Sequence, residues 1–236
     1  LPTIAATRAG FNKLEQELIP SLAREKIANV LEEIGTKAQY VIDIVVRNLY
    51  ERTADIGFLA TDKELCEFVA GLHDDRDAIC NRLKAYRAKY TVYDEIILLD
   101  LKGNVLAHID ESTTLKKSSD PLIAQALGSD TYIETFRSTD LRPNKKQALL
   151  YSRRMLHPEN GNVVGVLCLC FSFEEEMAGI FRAHRDPKAR SNMLLLNCSN
   201  RVIASADTDW IPIGAEVPVN HDVNSELMMH GGRAYL

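Results

Sequence analysis

The stretch Ile96–Asp110, IILLDLKGNVLAHID, decides how the chain is read. An apolar run, Ile96 to Leu99, enters a polar Asp-Leu-Lys-Gly-Asn turn, and a second apolar run, Val105 to Ile109, leaves it. This is the pattern of a tight β-hairpin, with Gly103 free to supply a positive φ. A second copy follows at Met193–Asp207, MLLLNCSNRVIASAD. Aligned without gaps, Asp100 falls on Asn197, Gly103 on Asn200, Ala107 on Ala204 and Asp110 on Asp207. The turn positions change only among residues that tolerate the left-handed region or form Asx-turns, and the apolar positions stay apolar. Two like hairpins about a hundred residues apart predict two like modules in tandem.

Working outward, a long helix precedes the first hairpin. From Ile27 the apolar positions run Leu31, Ile34, Ala38, Val41, Val45 and Leu49, then Arg52, Ile56 and Leu59, in steps of three and four. That is an amphipathic stripe. With Pro20 placed in a first turn, the spacing predicts a helix from near Ser21 of about forty residues, ~60 Å long. Such a helix outreaches one small domain, so it should contact both modules or pair with a second chain. Thr61-Asp62-Lys63-Glu64 has the form of a capping box. In His73-Asp74-Asp75-Arg76-Asp77 the acids read as caps of a helix carrying Ile79, Leu83 and Tyr86 rather than as a metal cluster, since consecutive helical acids splay apart.

Beyond the hairpin, Asp120-Pro121 predicts an N-cap followed by proline in the first turn, with Gly128 as the stop. Strands are expected over Tyr132–Phe136, Ala148–Leu156 and Val163–Phe171. The last, VVGVLCLCF, is apolar at odd and even positions alike, so both of its faces should be covered. Ser172-Phe173-Glu174-Glu175 opens another helix, which Pro187 ends. Only 44 residues remain from Met193 onward, so the second module is short of strands.

The 236 residues carry a net charge of −5 and no long basic run, which argues against nucleic acid as a partner. No run of 18 apolar residues spans a membrane, although the start at Leu1 is expected to be a trimmed or processed one and flanking spans could lie outside. The five cysteines form no disulfide framework, and spacing leaves a Cys66–Cys80 bridge open. The six histidines have no metal-ligand spacing, and neither a nucleophile elbow nor a phosphate loop is present. Cys198 lies in a polar turn with no assignable base. The chain is expected to be no enzyme, with no cofactor and no metal.

The order of these elements, with NLYERTADIGFLATD (Asn48–Asp62), YTVYDEIILLDLKGNVLAHID (Tyr90–Asp110), ALLYSRRM (Ala148–Met155) and the VVGVLCLCFSF strand, resembles a double Cache domain. Such PAS-like modules form the extracytoplasmic sensors of bacterial chemoreceptors and sensor kinases. The resemblance implies an α+β fold: a long N-terminal helix followed by tandem PAS-like antiparallel sheets, the second incomplete. It implies a signalling helix over 1–60, a membrane-distal ligand-binding module over 61–186 and a partial membrane-proximal module over 187–236. It further implies a periplasmic sensor of an inner-membrane protein, dimeric through the long helix, holding a small ligand between its sheet and the segments after the hairpin.

The residues to which that implication maps are Tyr132, Phe136, Arg137, Asp140, Tyr151 and Arg153, with Asp110 at the hairpin's end. Strand alternation places Leu149, Tyr151, Arg153 and Met155 on one face. A guanidinium beside a phenol suits a small carboxylate. Amino-acid-sensing members resemble one another in an Arg-x-Trp-Tyr cluster, whereas the only tryptophan here is Trp210, so an organic acid is the expected ligand. The alternatives are a Cache-like dimerisation scaffold whose pocket is filled by its own side chains, and a cytosolic PAS-type sensor.

Overall fold

Both hairpins form, and they form alike. A computed structural model of the chain describes residues 2–185, 191–218, 228–230 and 233–235. In the first hairpin, β1 (Tyr93–Asp100) and β2 (Val105–His108) pair antiparallel, with a bulge between Leu98 and Leu99. In the second, β6 (Leu194–Leu196) and β7 (Val202–Ser205) pair with a bulge between Leu195 and Leu196. Gly103 has φ +79° and its counterpart Asn200 has φ +58°. Asp100 Oδ1 accepts from the Lys102 and Asn104 amides at 2.8 Å, and Asn197 Oδ1 accepts from Ser199 and Arg201 at 2.9 and 3.0 Å. Even the returning chain repeats: the Ser118 amide donates to the Gly103 carbonyl and the Val217 amide to the Asn200 carbonyl, each at 2.9 Å. The two copies lie in separate sheets.

The first hairpin belongs to a five-stranded antiparallel sheet completed by β3 (Ile133–Arg137), β4 (Ala148–Leu156) and β5 (Val163–Phe171), in the order β2-β1-β5-β4-β3. Strand β5 is central and buried along most of its length, as its unbroken apolar run requires. Its Gly165 is fixed by close approach, because a Cβ there would stand 2.2 Å from the Leu99 carbonyl oxygen and 2.6 Å from Val69. One sheet face is covered by α4 (Pro121–Leu127): Leu122, Ile123 and Ala126 pack with Leu141 on Ile97, Leu99, Leu150, Cys168 and Cys170. The other face meets the C-terminal turns of α1 (Pro2–Leu59) and α2 (Lys63–Val69). Asp75 caps α3 (Arg76–Lys89) and Asp120 caps α4, as expected, whereas α2 is capped by Asp62, which accepts from the Leu65 amide, and not by Thr61 of the capping-box pattern, whose hydroxyl donates to the Phe58 carbonyl.

Helix α1 departs from expectation. It starts at Pro2, not near Ser21, and contains Pro20 in its interior. Proline there lacks the donor to the Gln16 carbonyl and crowds it, at a cost of about 3 kcal/mol. The cost falls on one turn, while the alanine-, leucine- and glutamate-containing stretches on both sides of it favour helix. Cys66 and Cys80 are free thiols; Cys66 contacts the Ala60 carbonyl and Cys80 the His108 carbonyl.

The chain divides into two compact units, Val45–Ile180 and the pair Leu1–Ile44 with Phe181–Leu236. The division falls inside α1 and inside α5 (Phe173–His184). In the second of these units, the β6–β7 hairpin builds a small core of Val202, Ile211 and Val217, with Trp210 packed against it. Tyr40 and His184 meet edge to face at 5.3 Å. Two short strands, β8 (Met228–His230) and β9 (Arg233–Tyr235), pair with each other. None of the described helices is long and apolar enough to cross a membrane.

Candidate functional site

The polar residues of interest in Val45–Ile180 fall on the helix-facing side of the sheet. Register pairs Glu134 with Tyr151 and Phe136 with Leu149, so Glu134 and Phe136 of β3 share that face with Tyr151 and Arg153 of β4, and Tyr132, just before β3, joins them. The Tyr132 and Tyr151 rings lie 6.2 Å apart, and Phe136 packs its ring on Phe173 at 4.8 Å. Tyr151 is fully buried, yet its hydroxyl has no hydrogen-bond partner. Burial, reinforced by the Glu134 charge, pushes that hydroxyl's pKa up, and the Arg52 charge opposes it. The guanidinium of Arg153 reaches α1 beside Gly57, where a Cβ would come within 3.3 Å of Nη1. Among the described residues it makes no ion pair.

Helix α1 contributes residues that a pocket search confined to the sheet would miss. Asn48 and Arg52 are one helical turn apart and both are turned inward, with Asn48 Oδ1 and Arg52 Nε buried and unpartnered. Arg52 is bound to Glu51 at 3.0 Å and Asp55 at 3.4 Å, and its guanidinium carbon stands 5.7 Å from the Tyr93 ring centre. Asp55 accepts from the Tyr93 hydroxyl at 2.6 Å. The signal for Arg52 was present in the sequence, since it occupies a position of the apolar stripe where a charged residue has no place unless paired.

The remaining expected residues are elsewhere, each with a partner. Arg137 faces the opposite side and holds Asp120, the α4 cap, through two contacts of 2.5 and 2.9 Å. Asp140 accepts from the Ser118 hydroxyl at 2.5 Å and the Ser119 amide at 2.8 Å. Asp110 accepts from Arg142 and the Ser112 hydroxyl, both at 2.6 Å. Although desolvation opposes it, these donors hold the Asp110 carboxyl down at about 2. The structure therefore brings Tyr132, Phe136, Tyr151 and Arg153 onto one face, and keeps Arg137, Asp140 and Asp110 apart from them. On the α4 side, where the resemblance implied a ligand chamber, the sheet is packed with the aliphatic side chains named above. Among the described residues no group of histidine, cysteine and acid side chains is arranged to hold a metal ion.

No family model matches the sequence, and no curated protein matches it. Solved structures do. The sensor domain of the V. cholerae histidine kinase DctB superposes with a TM-score of 0.61 at 14% identity, over 77% of this chain and 68% of that one. The ligand-binding domain of the Campylobacter jejuni chemoreceptor Tlp3, in complex with 4-methylisoleucine, gives 0.58 at 14% identity, over 86% and 83%. The Tlp3 sensory domain with isoleucine bound gives 0.53 at 15% identity, over 80% and 76%. This chain shares the fold of these Cache-type sensor domains. The α+β architecture read from the sequence, a long helix leading into PAS-like antiparallel sheets, is that of the Cache fold. These neighbours are sensory domains of a kinase and of a chemoreceptor.

Proposed function

We propose that this chain is the sensor portion of a signalling protein, and that it binds a small organic ligand, a carboxylate, on the helix-facing side of its five-stranded sheet. The observation that carries the reading is the fully buried Tyr151 hydroxyl without a partner, on the same strand face as Arg153, which makes no ion pair among the described residues. Leaving a buried donor unsatisfied costs about 1–3 kcal/mol. A carboxylate accepting from Tyr151 and Arg153 removes that cost, and a contact made in only one arrangement of α1 against the sheet gives the ligand a differential affinity for it. Tyr132, with its ring beside Tyr151, lines the same place. Gly57 fits the reading too, since a Cβ there would press on the Arg153 guanidinium at 3.3 Å.

The proposal includes a placement outside the cytoplasm, in a membrane-anchored parent that dimerises through α1. The exposed apolar residues Phe11, Leu14, Leu18 and Leu22, spaced by three and four along that helix, support dimerisation. Calorimetry and a thermal-shift screen of small carboxylates and branched amino acids test the site. Binding of a carboxylate that Arg153→Ala abolishes is expected. A screen without a hit, or an Arg153→Ala protein that binds as well as wild type, rules the assignment out.

One observation favours a second reading, a Cache-like interaction scaffold without a ligand: the aliphatic packing between α4 and the sheet fills that side with the protein's own side chains. A dimer that forms and signals identically in the presence of every compound screened supports it.

A further inference from the structure

At the base of the first hairpin lies a second buried polar group, away from Tyr151. Glu95, with none of its surface exposed, accepts through Oε1 from the amides of Ile96 at 2.9 Å, Ile109 at 2.8 Å and Asp110 at 3.1 Å. Its Oε2 is 3.5 Å from His108 Nδ1 and 3.7 Å from Arg142 Nη1. Arg142 also contacts Asp110 at 2.6 Å and Asp94 at 3.6 Å, and Lys145 pairs with Asp94. Three carboxylates, Asp94, Glu95 and Asp110, therefore face two fixed cations, Arg142 and Lys145, and one negative charge is left over. His108 Nδ1 is buried and has no partner.

We infer that His108 is the proton-binding member of a clamp, with Glu95 and Arg142, that tightens the base of the hairpin as the surroundings become acidic. A proton on His108 completes the charge balance and makes both ring nitrogens donors, Nδ1 towards Glu95 Oε2. Among the described residues, Glu95 and His108 form no ion pair besides these. From α3, Cys80 contacts the His108 carbonyl at 3.6 Å, Arg76 donates to the Leu106 carbonyl at 3.0 Å, and Lys84 is held outward by Glu111 at 2.5 Å. From β5, the Cys170 thiol is kept protonated by burial. Burial raises the Glu95 carboxyl, while the Ile109, Ile96 and Asp110 amides and a charge on His108 work against it and favour the carboxylate.

The consequence is structural control over one segment. Asp110, whose amide binds Glu95, and Arg142, a clamp member, stand at the two ends of residues 111–141, which carry α4 and β3. Closing the clamp fastens both ends at once. The inference is independent of any ligand at Tyr151 and holds for the scaffold reading as well.

The test compares the full chain with His108→Gln by thermal melting and by hydrogen exchange between pH 8 and pH 5.5. Wild type should gain about 3 °C or more over the variant on acidification. Amides within 111–141 should become several-fold better protected in wild type alone. A wild-type–variant gap that is the same at both pH values, or equal gains in protection, overturns the inference. Should the variant fail to fold, nuclear magnetic resonance of wild type decides. The Ile109 and Asp110 amides, which bind Glu95, should shift together with the His108 ring on titration, and independent titrations would refute the clamp.

Discussion

Replacing Gly103 with alanine separates the two hairpins, which otherwise share one turn geometry. At Gly103 the backbone sits at φ +79°, and a Cβ would stand 2.4 Å from the Ser118 carbonyl oxygen and 3.2 Å from the Ile123 Cδ1. The left-handed conformation alone costs an L-residue about 1–2 kcal/mol. The contact with Ser118 is backbone, so it cannot be relieved by a rotamer change. The returning strand must move, weakening the 2.9 Å bond from the Ser118 amide to the Gly103 carbonyl, worth about 1 kcal/mol. The sum is about 2–4 kcal/mol, or a fall in Tm of roughly 5–10 °C. At the second hairpin Asn200 already occupies the matching left-handed position, so Asn200→Gly should add no backbone strain there. Urea unfolding followed by circular dichroism measures both. A Gly103→Ala protein within 0.5 kcal/mol of wild type would refute the argument that the returning segment fixes this glycine.

Tyr151→Phe should leave stability unchanged or slightly raised, because the hydroxyl it removes has no partner, while weakening carboxylate binding at least tenfold by calorimetry. Tyr93→Phe should do the opposite: losing the 2.6 Å donor to Asp55 leaves a part-buried carboxylate dependent on Arg52 and costs about 1–2 kcal/mol in urea unfolding. For Asp110, whose carboxyl is held at about 2, the stabilisation is present above the ordinary carboxylate range and is lost as pH falls from about 4 towards 2. Asp110→Asn should therefore be less stable at pH 7 and show a flatter acid-unfolding curve over that window.

Legibility in the sequence followed the range of the interaction. The hairpin repeat was readable because an Asx-turn and a left-handed residue are decided within five positions, and both copies carry them, Asp100 with Gly103 and Asn197 with Asn200. The caps at Asp75 and Asp120 are equally local. The start of α1 was misplaced because proline was given the power to begin a helix, whereas it only weakens one turn of a longer one.

Strand alternation by itself determined that Tyr151 and Arg153 share a face, and the turn chemistry determined that two hairpins are alike. Only the tertiary structure decided what covers that face: α1, with Arg52 and Gly57 turned towards it, rather than the segments after the hairpin. It also decided that Arg137, Asp140 and Asp110 are engaged with partners 17, 22 and 32 residues away in sequence. A period of two fixes which side chains travel together, but the layer that meets them, and the charge that satisfies each one, depend on contacts between segments that no local pattern encodes.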